Sequence, residues 1–292
     1  MSVEDGANAI CDLIRAGKPF YVGKIGTSEL DVLLFYIEYR QSEPQRSYPD
    51  IIRTHIAKNG GIFPATDASV DAWAVHMIKD VLPAGNGFAQ WNPIYPKKEE
   101  SILNLLAPRS SRFPLRALEP YYIKTPDERW TQSLKSKCIA VVSPFAESIQ
   151  KQWKQKDRIW PGLWSEESPV IRVVRSGYGP YLTASSGKWP REILEGGWRS
   201  AVAWIVEQVL KTKATFAIVG CGALSLPVCY ALKNAGISSI HLGGATQILF
   251  GIKGKRWLQH SVISTFFNDA WMFPLAHEIP SLAGDVEGGC YW

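Results

Sequence analysis

The 292-residue sequence predicts an α/β protein built on a doubly wound, mainly parallel sheet with helices on both faces. Three observations carry that expectation. Short apolar runs alternate with helical patterns along most of the chain, the order that produces βαβ units. Four of those runs end in turns of small residues, GKIGTSE, VVSPFAES, IVGCGALS and HLGGATQ, and at least three of these open a helix. Composition is that of an ordinary globular chain, 46% hydrophobic and 20% charged, long enough to bury a substantial core.

In chain order, residues 3–16 read as a helix with Ala7, Ile10, Leu13 and Ile14 on one face, stopped by Gly17. PFYVGKI (19–25) is a short buried strand. The following SELDVLLFYIEYR is a helix with Leu30, Leu33, Leu34 and Ile37 aligned, capped by Thr27 or Ser28. Residues 47–107 carry the least strand signal and read as a helical insertion that includes a helix over 67–81. LRALEPYYI (115–123) reads as a strand, and KCIAVVSPFAESIQKQW (137–153) as strand, turn and helix. A Pro/Gly/Trp-rich loop spans 154–169, PVIRVVRS (169–176) is a further strand, and 176–190 is a long Gly/Ser-rich loop. The clearest helix covers 191–211, with Leu194, Trp198, Ala201, Val202, Ile205 and Val209 as its stripe. ATFAIVG and SSIHLGG are the last strands, separated by a helix over 223–235. No repeat or low-complexity linker divides the chain, so a single domain over 1–292 is expected.

Charge and cysteine usage narrow the function classes. The net charge of +5 comes from scattered cations, which gives no nucleic-acid footprint but suits a small anionic ligand. Five cysteines without a C-x-x-C pair argue against a disulfide framework or a zinc site and for a reducing, cytoplasmic setting. The amphipathic start is not a signal peptide, and no apolar run reaches the roughly 20 residues of a membrane span. Aromatic content is high at 12%, and for any single ring a core position is the commoner use.

In open α/β sheets ligands bind beyond the carboxyl ends of the strands, where backbone N–H groups at helix starts can hold phosphate oxygens. That places Lys24, Gly26, Thr27, Ser28, Ser143, Gly220, Gly222, Ser225, Gly243, Gly244 and Gln247 along one predicted binding edge. Glu29, in the first turn of its helix, reads either as a dipole-stabilised surface group or as a metal ligand, general base or acceptor for a sugar hydroxyl. His241 reads either as a structural strand-end histidine or, with Gly243 and Gly244 beside it, as a functional one. Lys253, Lys255 and Arg256 read as a solvated helix end or as a phosphate-gripping loop, with Arg256 the best bidentate donor. Gly220-x-Gly222 follows a strand, yet Ser225 replaces the third glycine of a dinucleotide fingerprint and no acidic residue follows the next strand. No Ser–His–Asp, H-E-x-x-H or Walker A pattern is present.

With these residues in place, the chain resembles the GT-D-type glycosyltransferases, single-domain sugar transferases with a Rossmann-like sheet. Their R-x-G-D-G-E turn corresponds here to Lys24-Ile-Gly26-Thr27-Ser28-Glu29, and VVSPFAESI, IVGCGALSLPVCYALKNAG, SSIHLGG and EGGCYW fit later parts of the pattern. The resemblance implies a nucleotide-diphosphate sugar donor (UDP-, GDP- or dTDP-linked), a glycan or glycoconjugate acceptor, and a role in polysaccharide biosynthesis. It also implies a divalent metal, Mg²⁺ or Mn²⁺, held by the Asp and Glu of the turn. Glu29 carries over, but Thr27 stands at the Asp position and is a poor ligand for a hard cation. If no metal binds, Lys253, Lys255 and Arg256 are the cations expected to offset the leaving diphosphate. Trp and Tyr residues of 160–189 are expected to stack on the acceptor. An S-adenosylmethionine-dependent methyltransferase and a non-catalytic nucleotide- or glycan-binding module are the alternatives. An oligomer is compatible with all three readings.

Overall fold

The computed structural model describes residues 1–182 and 189–292. Seven strands form one all-parallel sheet: β1 (Tyr21–Lys24), β2 (Gly87–Gln90), β3 (Ser111–Pro114), β4 (Cys138–Ser143), β5 (Val170–Arg175), β6 (Phe216–Val219) and β7 (Ser238–His241). Their spatial order is β3-β2-β1-β7-β6-β4-β5. The predicted doubly wound α/β class is the architecture observed.

Strand residues alternate between two cores, as the two-residue period of a strand requires. In β4, Ala140 and Val142 join the core on one face, while Ile139 and Val141 join the other. The first face is covered by helices Thr27–Phe35, Asp67–His76, Arg191–Lys211 and Ser225–Asn234. The second is covered by Val3–Arg15 and Ala146–Trp153 together with a large aromatic cluster. Helix Val3–Arg15 begins in a capping box, the Asp5 amide donating to Ser2 Oγ at 3.0 Å and the Ser2 amide to the Asp5 carboxylate at 3.3 Å. At the edge, β5 exposes Val170 and turns Arg172 and Arg175 outward. Charge on an edge strand discourages pairing with another chain.

Four expectations change. The span 47–107 is helical over Asp50–Lys58, Asp67–Val81 and Pro96–Leu106, but it also contributes β2, an internal strand next to the β3 edge of the sheet. With four residues, one of them glycine, GFAQ is too short for an alternation to register. The strand expected at 115–123 is instead a short helix, Leu115–Leu118, followed by the 3-10 turn Pro120–Tyr122, and the strand lies just before it at Ser111–Pro114. Pro120 supplies no amide to a ladder, which stops a strand from running through this segment. The 191–211 helix is interrupted at Gly197, whose φ of 74° lies in the left-handed region, and the Trp198 amide donates to the Phe63 carbonyl at 2.8 Å. That break shifts the phase of the stripe, so Ile193 is buried where Leu194 was expected, and Leu194 is exposed. Finally, of the aromatic residues in 160–189, Trp160, Trp164 and Trp189 are buried in the cores and offer no platform to an acceptor, while Tyr178 lines the cavity described below. The part of the 176–190 loop at 183–188 lies outside the described residues.

Candidate active site

Every strand delivers its carboxyl end to one cavity of about 820 Å³. Lys24, Gln90, Pro114, Ser143, Gly220 and His241 line it from strand ends, with Ser176 entering just after β5. Strands β4 and β6 are neighbours whose onward connections leave in opposite directions, toward β5 and toward β7. A crevice at such a reversal is where open α/β sheets bind ligands. The volume is that of a small-molecule site.

The turns at this edge have already committed many of their amides. The Glu147 amide donates to the Glu278 carboxylate at 2.7 Å and the Ser148 amide to the same group at 3.3 Å, with the Ser148 hydroxyl also bonded to it. Glu278 therefore fills the anion position at the start of helix Ala146–Trp153. At the β6 exit, Gly220 N–H donates to Val142 O at 2.9 Å, Cys221 N–H to Ser225 Oγ at 2.9 Å, and Ala223 N–H to Gly60 O at 2.8 Å. Buried Ser225 thus ties down its own turn and does not line the cavity. At the β7 exit, the amides of Thr246 and Gln247 bond to the carbonyls of Gly243 and Gly244. Binding an anion here falls chiefly to side chains.

Lys24 is the best-placed of them. Its ammonium sits 4.2 Å above the Trp91 ring, a cation–π contact. Trp91 is pinned by its indole N–H to Ile25 O at 2.8 Å and by its amide to Glu99 at 2.8 Å. Gly243, with φ of 59°, lies so near that an added Cβ would come within 3.3 Å of Lys24 Nζ. Glu29 folds back over the Cα of Gly26, in space that any side chain at 26 would take, and rests beside its own amide. Burial pulls the Lys24 ammonium below its usual range and pushes the Glu29 carboxyl above its own, each countered by the charge of the other.

His241 is 4% exposed, and burial with the nearby Lys24 charge lowers its pKa to about 3. Its Nδ1 lies 3.2 Å from Val219 O and 3.3 Å from the Gly243 amide, so a neutral ring satisfies one of these in either tautomer. A ring held neutral to such low pH does not shuttle protons near neutrality. Cys221 also faces the cavity, but burial pushes its thiol up to about 12, away from thiolate chemistry.

The basic run separates on folding. Arg256 lines the cavity, ion-paired with Glu287, and its Nη1 lies 3.3 Å from the Tyr291 hydroxyl. Lys253 is turned away, with its ammonium 5.2 Å over the Phe267 ring, and Lys255 does not reach the cavity wall. The expected three-cation grip is thus reduced to Arg256. Gln247 reaches the site with Nε2 donating to Lys253 O at 2.9 Å and Tyr291 O at 2.6 Å, leaving Oε1 without a partner. Thr246 Oγ1 and Ser176 Oγ are likewise unpartnered at the cavity wall. All three atoms are buried with almost no surface open to the cavity, so they sit behind its wall.

The donor set does not fit the metal that the turn resemblance implies. Thr27 Oγ1 accepts from Asn92 Nδ2 at 3.2 Å, and Glu29 has the Lys24 charge nearby. Among the described residues, no group of three or more His, Cys, Asp or Glu side chains is arranged to hold a metal ion.

Several groups at the site carried no sequence signal. Glu119, Arg116, Lys58, Trp91, Glu287 and Tyr291 all line the cavity. Glu119 lies where the apolar pattern predicts a strand, and Trp91 follows a strand too short to show an alternation. Among the described residues, no helix is long and apolar enough to cross a membrane. No protein-family description matches the chain, and neither a curated protein nor a solved structure matches it.

Proposed function

We propose that the chain is a glycosyltransferase that moves a sugar from a nucleotide-diphosphate sugar to a hydroxyl acceptor on a glycan. The observation that carries this reading is the cavity of about 820 Å³ at the sheet's carboxyl edge, where cations, carboxylates and polar side chains meet. A diphosphate needs positive charge that grows in effect as its bond to the sugar breaks, and a sugar needs hydroxyl partners. Lys24, preorganised over Trp91, supplies the first together with Arg256. Glu29 offers the second. No step is assigned to a metal, because Thr27 and Glu29 do not make a hard-cation site.

The test is a thermal-shift and calorimetric series with UDP-, GDP- and dTDP-sugars, run with and without Mg²⁺. Stabilisation of roughly 5 °C is expected for one of them at about 100 times its Kd. No response to any nucleotide would sink the donor assignment. A binding module without turnover is the second reading, favoured by Thr27, whose hydroxyl is engaged by Asn92. Cleavage of the bound donor, even slow hydrolysis, excludes it.

A further inference from the structure

Three glutamates line the cavity, and two are held by their own amide or by an ion pair. Glu29 lies over Gly26 beside its own amide, with the Lys24 charge near, and Glu287 is paired with Arg256. Glu119 differs. It is 9% exposed, follows the short helix Leu115–Leu118, and forms no ion pair within 4 Å among the described residues. The groups that face it are Lys24 from β1, Arg116 one turn back and the Tyr121 hydroxyl from the next turn. Its backbone is fixed on both sides, its amide donating to Arg116 O at 3.2 Å and its carbonyl accepting from Tyr122 N–H at 3.0 Å. A buried carboxyl at the wall of a ligand cavity, on a fixed backbone and with a neutral Tyr121 hydroxyl beside it in place of a salt-bridge partner, can exchange a proton with a bound ligand.

We propose that Glu119 is the general base that takes the proton from the acceptor hydroxyl. This rests on the glycosyltransferase reading. In the step, the acceptor oxygen forms a bond to the anomeric carbon of the donor. The bond from that carbon to the diphosphate oxygen breaks, and its electron pair leaves with the diphosphate. The hydroxyl proton passes to the Glu119 carboxylate. Lys24 serves both ends of this step, since its charge acts on Glu119 and on the departing diphosphate. The chemistry favours a base poised near the working pH. Burial does this for Glu119, raising its carboxyl to about 7 against the opposing pull of Lys24 and Arg116.

The experiment measures steady-state transfer, or donor hydrolysis where no acceptor is supplied, for the wild type, Glu119→Gln and Glu119→Asp. Donor binding is followed by calorimetry, and folding by melting curves. Expected results are a loss of about 100-fold or more in kcat for E119Q, with the donor Kd unchanged within about twofold. Wild-type kcat/KM should rise with pH through an ionisation near 7, and that limb should vanish in E119Q. E119D should retain the limb at reduced rate. If the wild type cleaves no sugar nucleotide, the functional reading fails and this assignment with it. If the wild type is active while E119Q keeps its rate or its acid limb, only the assignment to Glu119 is overturned. Should E119Q not fold, the wild-type pH profile and E119D decide, and a wild-type profile flat between pH 6 and 8 overturns the proposal.

Discussion

Glu119 and His241 are buried beside the same lysine and respond in opposite ways, because burial disfavours whichever form carries charge. The histidine loses its proton to low pH, while the carboxyl keeps its proton toward neutrality. This has a consequence for stability that is independent of activity. The folded chain holds the Glu119 proton up to about 7, against 4.5 for an unperturbed glutamate. Between those values the folded state binds more protons than the unfolded state, so stability falls as pH rises through the window and levels off above it. At about 1.4 kcal/mol per pH unit, the effect amounts to about 3 kcal/mol. Glu119→Gln should therefore be more stable than the wild type by up to about 3 kcal/mol at pH 8, and the difference should disappear below pH 4.5. Urea unfolding at several pH values checks this, and equal slopes for the two proteins would contradict it. A substitution that removes catalysis and raises stability would mark a residue retained for function.

At the scale of elements, helix starts at the sheet edge are less available to ligands than the Gly/Ser turns suggested. Glu278, from a segment 130 residues further along, caps helix Ala146–Trp153 through two amides and a hydroxyl. Glu278→Ala leaves those buried donors without an acceptor and should cost about 2–3 kcal/mol in chemical denaturation, while ligand binding changes little because Glu278 does not line the cavity. The helices at 67–81 and 191–211 were legible from their length and apolar content, and the strands at 138–143 and 216–219 as continuous apolar runs buried on both faces. Four-residue β2 and β3 were not, since pairing with a neighbouring strand, and no local pattern, makes them strands. The same holds for the candidate site. Lys24, Glu29, His241 and Arg256 were readable from their place at turns. What Lys253, Lys255 and Ser225 face is set by contacts with Phe267, the 287–292 segment and Cys221, which no local spacing encodes.

Across the whole molecule, residues 285–292 bind together parts of the chain that are far apart in sequence. Asp285 pairs with Lys58 at 3.1 Å, Glu287 with Arg256, and Tyr291 O accepts from Gln247. Glu287 has φ of 45° and is followed by two glycines in the same left-handed region, a conformation unfavourable for a residue with a side chain. The Arg256–Glu287 pair is more than a third exposed on both sides, so solvent screens it and its net worth is small. Glu287→Gln should tighten binding of inorganic pyrophosphate by up to about fivefold, measured by calorimetry at low ionic strength; unchanged or weaker binding would show that Arg256 does not meet the anion. The chain thus carries its own competitor. A carboxylate tethered this closely acts like a ligand at an effective concentration on the order of millimolar. Simple anions at similar concentration gain little by replacing it. Glu287 pairs directly with Arg256 and reaches Lys24 only through its charge, so a ligand that contacts both cations gains a second direct contact, and selectivity for it over free phosphate follows from a group that takes no part in the reaction.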